Sequence, residues 1–246
     1  MNKSCKNCGE VAQYNYCSNC GQSTETGRIN FHYLSHEIQH SILHVDRGIL
    51  YTVKELLTRP GCTIKSYLEG KRVNYFKPFA FVVILGTIYG FIAHFFNAYP
   101  ESSLMTDLGG EYARYNQMTL EWLYSHYSMV MLSLTPLSAL SSFLVFRKSG
   151  YNYLEHLVIY SYIIGIQIFL FLISYIFYYN FPSIWIVYIV STLAYSYNIW
   201  VLFQLFNDRT WFKTIVKVLI SLVISMLMIL ALSIVVSFLI IILFHK

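Results

Sequence analysis

The chain has 246 residues, of which 56% are hydrophobic and only 12% charged, with a formal net charge of +5. That charged share is about half the usual one for a soluble domain, and a water-soluble protein of this length has too little interior to hide so much apolar surface. Composition therefore excludes a soluble globular protein and requires a body solvated by lipid.

The first elements are two short cysteine motifs, Cys5-x-x-Cys8-Gly9 and Cys17-x-x-Cys20-Gly21. In each, a tight turn brings two thiolates to one metal, and the glycine takes a backbone conformation that a side chain opposes. Two such knuckles make a closed four-sulfur site. Cys5, Cys8, Cys17 and Cys20 are thus expected to hold one structural zinc ion within residues 1–22, with no open coordination position for catalysis. A redox role for either pair lacks the βαβ surroundings such motifs need. Lys3 and Lys6 supply too little positive charge for a nucleic-acid binder. Five cysteines do not read as a disulfide framework, since the fifth, Cys62, stands alone. Thiolate ligands need a reducing compartment, which places this head in the cytoplasm.

Residues 23–28 read as a linker and residues 29–58 as one amphipathic helix. Its apolar positions, Phe31, Leu34, Ile38, Ile42, Val45, Ile49, Val53 and Leu56, recur in steps of three and four. Such a stripe is expected to lie in the lipid interface or on the membrane body. Arg59-Pro60-Gly61 ends the helix, because a residue before proline avoids helical geometry. A short helical turn over 62–69, closed by Gly70, leads to the basic, aromatic entry Lys71 to Pro78. Lys65, Lys71, Arg72 and Lys77 carry a topology signal and are expected to meet anionic lipid headgroups. Within the helix, His36-Glu37-Ile38-Gln39-His40 matches H-E-x-x-H, the pattern of zinc metalloproteases. The pair belongs, however, to a row at His32, His36, His40 and His44. At about 100° per residue this row lies opposite the apolar stripe, so it reads as a solvated face, a secondary metal site or a pH-sensing surface. A protease would need burial among spans and a third ligand.

Five spans follow, at 79–97, 127–146, 154–178, 183–206 and 215–244. Each can cross a hydrocarbon core of about 30 Å at about 1.5 Å per residue, and the last is long enough to tilt or protrude. Residues 98–126 form a long acidic loop, with Glu101, Asp107, Glu111 and Glu121 against Arg114. Lys54, Arg59, Lys65, Lys71, Arg72 and Lys77 precede span one. Arg147 and Lys148 lie between spans two and three, and Arg209, Lys213 and Lys217 between spans four and five. The other side has only Arg114 and Lys246, so the positive-inside rule puts the N-terminus in the cytoplasm and the C-terminus outside. No secretory signal precedes the cysteines, and the first span is expected to direct insertion itself. Tyr151, Tyr153, Tyr178 and Tyr179 fall near span ends as interfacial anchors. Pro136 is expected to kink span two. Glu155 and His156 open span three, and Gln167 and Asn198 lie deeper, with Gln204 near the end of span four. These groups either form an intramembrane polar site or stitch helices together. Asp208-Arg209 reads as a solvated pair.

The order of motifs resembles an uncharacterised family of bacterial multi-pass membrane proteins with an N-terminal zinc ribbon. The matching stretches are Tyr16-Cys17-Ser18-Asn19-Cys20-Gly21-Gln22, Thr52 to Gly61, Tyr67-Leu68-Glu69-Gly70-Lys71-Arg72 with Pro78, and Tyr151 to His156. The resemblance implies a bacterial inner-membrane location and supplies no activity. The histidine row is not part of the family's pattern.

The expected fold is an all-α membrane protein: a bundle of about five transmembrane helices preceded by an interfacial amphipathic helix and a small zinc ribbon. Its parts are the ribbon (1–22), the linker, helix and basic juxtamembrane segment (23–78), and the five-span domain (79–246). The expected function is non-enzymatic docking, assembly or regulation, with a protein partner at the cytoplasmic face and the bilayer around the bundle. The alternatives are a carrier or channel for a small solute or lipid, using Glu155, His156, Gln167 and Asn198, and the metalloprotease.

Overall fold

The computed structural model describes residues 3–12, 14–31, 33, 48–96, 118–119, 121–123, 125–207 and 210–244, with side chains as far as Val235. A two-stranded antiparallel sheet opens it. β1 (Lys3–Ser4) pairs with β2 (Val11–Ala12), Lys3 opposite Ala12 and Ser4 opposite Val11. The residues between this sheet and Gly48 are described only in part.

Ile29 and Asn30 are not helical. The Asn30 side chain instead accepts the Tyr33 amide at 2.8 Å, as residues before a helix do. Ile29 is fully buried, and Phe31, counted in the apolar stripe, is 75% exposed. A single helix from residue 29 is therefore corrected at its start. Its end stands as α1 (Gly48–Thr58), in which Val53 and Leu56 are buried. Pro60 both stops α1 and opens α2 (Pro60–Leu68) as its first helical residue, where a missing N–H leaves no intrahelical partner unmet.

Five longer helices complete the chain: α3 (Pro78–Phe96), α4 (Tyr127–Phe146), α5 (Tyr153–Asn180), α6 (Ile184–Phe206) and α7 (Trp211–Phe244). All five are long and apolar enough to cross a membrane, and the protein is a multi-pass membrane protein. The spans lie within a few residues of those expected. The exceptions are α7, which begins at Trp211, and the end of the long acidic loop, where residues 121–123 are helical. α4 runs unbroken through Pro136, whose carbonyl accepts the Tyr153 hydroxyl at 3.2 Å.

α5 is the central helix. From Glu155 to Ile166 every residue is buried, so it shows no amphipathic stripe, as expected of a helix surrounded by others. α3, α4 and α6 pack on it, and α7 packs on α4 and α6. α7 buries a narrow line of Thr214, Val218, Ser221 and Ser225 while its other faces stay open. That line meets the buried Ser138, Ala139, Ser141 and Ser142 of α4. The hydroxyls of Ser138 and Ser225 lie 3.0 Å apart and those of Ser141 and Ser221 3.5 Å apart. In lipid, small residues and hydroxyl pairs of this kind hold helices together where apolar burial cannot.

α1 and α2 lie across the ends of α5 and α6. The Tyr197 hydroxyl donates to the Leu56 carbonyl at 3.1 Å, and Gln204 accepts the Gly61 amide at 2.8 Å. Thr52 accepts the Phe76 amide at 2.7 Å, while Tyr162 donates to the Phe76 carbonyl at 2.7 Å. The short helices are thus clamped to the bundle through polar side chains as well as Leu56.

The tightest helix contact is between α3 and α5. A Cβ added at Gly165 would lie 2.3 Å from Phe81 Cδ1, and Phe81 is itself fully buried. Gly165→Leu should therefore destabilise the bundle by about 1–3 kcal/mol, read as a lower thermal midpoint in detergent. Phe81→Ala on that background should recover part of the loss. An unchanged midpoint for Gly165→Leu would refute this packing.

Candidate metal centre and its seat on the bundle

Each cysteine motif folds the same way. The Gly9 amide donates to the Cys5 carbonyl at 2.8 Å and the Gly21 amide to Cys17 at 2.9 Å; returning bonds run from Cys5 N–H to Glu10 and from Cys17 N–H to Gln22, both 2.8 Å. Gly9 and Gly21 have φ of 82° and 73°, the left-handed region where only glycine is unstrained. The two knuckles bring Cys5, Cys8, Cys17 and Cys20 together with all four sulfurs within 4.8 Å of one another. Cys5 and Cys20 sulfurs are 3.6 Å apart, Cys8 and Cys17 3.5 Å. Four sulfurs about 2.3 Å from a tetrahedral ion lie about 3.8 Å apart, whereas a disulfide needs about 2.05 Å. The set fits one metal ion and fills its coordination shell.

The thiols share protons unequally. The Cys8 amide, with smaller help from Asn7 and the neighbouring thiols, pulls the Cys5 thiol down to about 7. At Cys8 the Glu10 amide pulls downward, but desolvation and hydrogen bonds to Cys17, Cys20 and Cys5 outweigh it and push the thiol up to about 11. A cation entering this cluster must displace those protons.

The ribbon is not a free appendage. The Gln22 carboxamide, buried at the edge of the second knuckle, accepts the amides of Arg72 and Val73 at 3.0 and 2.9 Å and donates to the Gly70 carbonyl. Gly70 has φ of 107°, and a Cβ there would lie 2.9 Å from the Lys6 side chain, so glycine is needed both to close α2 and to admit the ribbon. Arg72 donates to the Gly27 carbonyl at 2.9 Å and stacks on the Tyr33 ring, 4.2 Å from its centroid. Arg28 then reaches the membrane body. Its Nε and Nη2 donate to the two Glu155 oxygens, each at 2.9 Å. Asn152 donates to the Ile29 carbonyl at 3.0 Å and, with Glu155, forms the capping box that starts α5.

The remaining site residues sort as follows. Glu155 is buried and belongs to this seat. His156 is fully buried, with Nδ1 3.0 Å from the Ser142 hydroxyl and its ring stacked on Phe206 at 5.5 Å. Gln167 donates to the Ala194 carbonyl at 3.0 Å, joining α5 to α6. Asn198 is buried beside the Tyr160 hydroxyl, with Ser141 and Ser221 around the same group. The four polar groups therefore have separate partners and do not converge on one centre. Lys65, Lys71 and Lys77 stay at the ribbon end, and Arg72 is engaged by the linker. His32, His36, His40 and His44, with Glu37, lie outside the described residues, as do Asp208 and Arg209.

Sequence reasoning missed Gln22, Arg28 and the serine line of α4 and α7. Serines three or four apart in an apolar helix were the available signal for the last; nothing local marks the other two.

Residues 46–90 match a family model described as a protein of unknown function (DUF3667). The matched stretch covers α1, α2, the basic entry and most of α3, and with the four-cysteine cluster it fits an uncharacterised family carrying a zinc-ribbon-like motif. No curated protein and no solved structure matches the chain.

Metal analysis of the purified protein should find about one ion per chain, lost in Cys5→Ser/Cys8→Ser while the bundle stays folded. Because thiolates bind and thiols do not, affinity should fall as pH drops through about 11, where Cys8 protonates, and more steeply below about 7, where Cys5 follows. Full metal content in the double variant, or pH-independent affinity, would rule out this centre.

Proposed function

We propose that the chain is a bacterial inner-membrane protein that serves, without catalysis, as a docking or assembly platform, its ribbon shaped by a structural zinc ion in the cytoplasm. The observation that carries this reading is the fixed seat of the ribbon. Gln22, Arg72 and the Arg28–Glu155 pair hold it against the bundle, while Tyr14 and Tyr16 remain 79% and 67% exposed on its surface with Val11 beside them. A full sulfur shell offers no open position for a reaction. Exposed aromatic side chains on a rigid support are the groups that anchor protein partners at low entropic cost.

The orientation rests on charge. Arg28 sits with Glu155 at the start of α5, and Lys65, Arg147, Lys148 and Lys217 gather round one cavity at that same end. The positive-inside rule then sets the ribbon end in the cytoplasm. A membrane-impermeant thiol reagent applied from outside should miss a cysteine placed at Ser149 and reach one placed at Leu108, on a background lacking Cys62. The opposite pattern would invert the topology.

A second reading, a carrier for a small solute or lipid, draws on the buried polar line of the bundle. Among the described residues His156 Nε2 is buried without a hydrogen-bond partner, and Tyr160 and Asn198 are buried near one another; polar groups inside a span favour a functional role.

A photo-crosslinking residue at Tyr14 or Tyr16 in native membranes separates the two. Docking expects discrete protein crosslinks that vanish in Cys17→Ser/Cys20→Ser and weaken in Glu155→Gln, which keeps an acceptor for Asn152 N–H but loses the charge that holds Arg28. Crosslinks that persist unchanged in both variants would overturn docking and leave the buried polar line as the better reading.

A further inference from the structure

We propose that a cavity beside the ribbon end of α4, α6 and α7 binds the phosphate-bearing headgroup of an anionic phospholipid. The cavity has a volume of about 590 Å³. Its rim carries Lys65 from α2, Arg147 and Lys148 from the turn after α4, and Lys217 from the first turns of α7. Among the described residues, no acidic side chain lines it. Among the described residues, ion pairs join Arg28 to Glu155 and Arg59 to Glu55, and none involves these four cations. Four positive charges held on three separate elements around one space repel one another. An anion between them removes that repulsion and gains charge-assisted hydrogen bonds.

The rest of the lining identifies the anion as part of an amphiphile. Leu144, Val145 and Leu205 line the same cavity, and Leu144 is exposed on the outer surface of α4. A free phosphate gains nothing from such a wall, whereas acyl chains continue along it into the hydrocarbon region. The back of the cavity is rigid. Phe146 and Phe206 stack at 4.1 Å, and Phe206 stacks in turn on buried His156. The cations stand where the ends of five spans place the headgroup layer, and basic pockets between spans are suited to anionic headgroups. Lys65 carried a lipid-contact expectation from the sequence; Arg147, Lys148 and Lys217 entered only as topology signals. The proposal is independent of the docking reading.

The test uses the full-length protein in detergent, with native mass spectrometry of added phosphatidylglycerol, cardiolipin or phosphatidylcholine. The two anionic lipids should form specific adducts and phosphatidylcholine should not. Each basic residue near a headgroup contributes about a fivefold effect, so Arg147→Gln/Lys217→Gln should weaken adduct formation about 25-fold. Lys54→Gln/Lys213→Gln, which removes equal charge from residues that do not line the cavity, should leave it nearly unchanged. Arg147, Lys217, Lys54 and Lys213 are all exposed, and thermal unfolding checks that both variants fold. Equal losses in the two variants would show diffuse charge attraction and overturn the site. Displacement of the lipid by millimolar inorganic phosphate, with no preference for the lipid, would overturn the lipid assignment in favour of a free anion.

Discussion

The carboxylate of Glu155 is the constraint on which the arrangement depends. It is 5% exposed at the first turn of the helix on which α3, α4 and α6 pack, and a buried carboxylate needs compensation. It finds three N–H donors: the Asn152 amide at 2.7 Å and two from Arg28 at 2.9 Å. It also sits where the partial positive charge of a helix N-terminus favours an anion. One group therefore sets where α5 begins and where the chain from the ribbon lands. Arg28 is 59% exposed, so the pair keeps much of its hydration on the cation side. That avoids most of the penalty of burying both charges, and still leaves a large cost for removing Arg28 alone.

The ribbon contributes shape through its four sulfurs and position through Gln22. These are separable. The sulfurs order about twenty residues whose own core is too small to fold them, a limit that metal ligation commonly relieves in such modules. Gln22 then uses both ends of its carboxamide on the backbone after α2, at Gly70, Arg72 and Val73. Gly70 both ends α2 and leaves room for the Lys6 side chain, so the metal module meets the chain where the second membrane-end helix stops.

What could be read in advance follows from which forces act locally. The spans were legible because a lipid environment demands long apolar runs whatever the tertiary packing. The knuckles were legible because metal geometry fixes spacing. The start of the amphipathic helix was not: Phe31 fits the periodicity yet is exposed, while Ile29, outside the stripe, is buried and its carbonyl is held by Asn152, 123 residues away. Arg28 looked like linker, and Glu155 like a boundary residue with solvent access, for the same reason. Gln204 and Gln167 were read either as stitching residues or as parts of an intramembrane polar site, and they bond across helices to Gly61 and Ala194. The serines of α4 and α7 passed unnoticed because hydroxyls scarcely lower the apolarity of a span, although they decide which face meets a neighbour.

The basic residues at the ribbon end show why charge counted along a sequence does not give its use. Arg28 and Arg72 look equivalent to their neighbours by position, yet both are consumed inside the fold, one by Glu155 and the other by Gly27 and the Tyr33 ring. Guanidinium groups suit this work, since a planar fork bonds two acceptors and stacks on aromatic rings at once. Lys65, Lys148 and Lys217 are compact charges on flexible stems, which surround a mobile phosphate more readily than they fix a protein contact. The division between cations that fasten the ribbon and cations that face the cavity therefore follows side-chain chemistry, with Arg147 the one arginine among the described residues that lines the cavity. A bidentate donor there, among three point charges and against a stacked aromatic wall, gives the cavity directionality that a diffuse basic rim lacks.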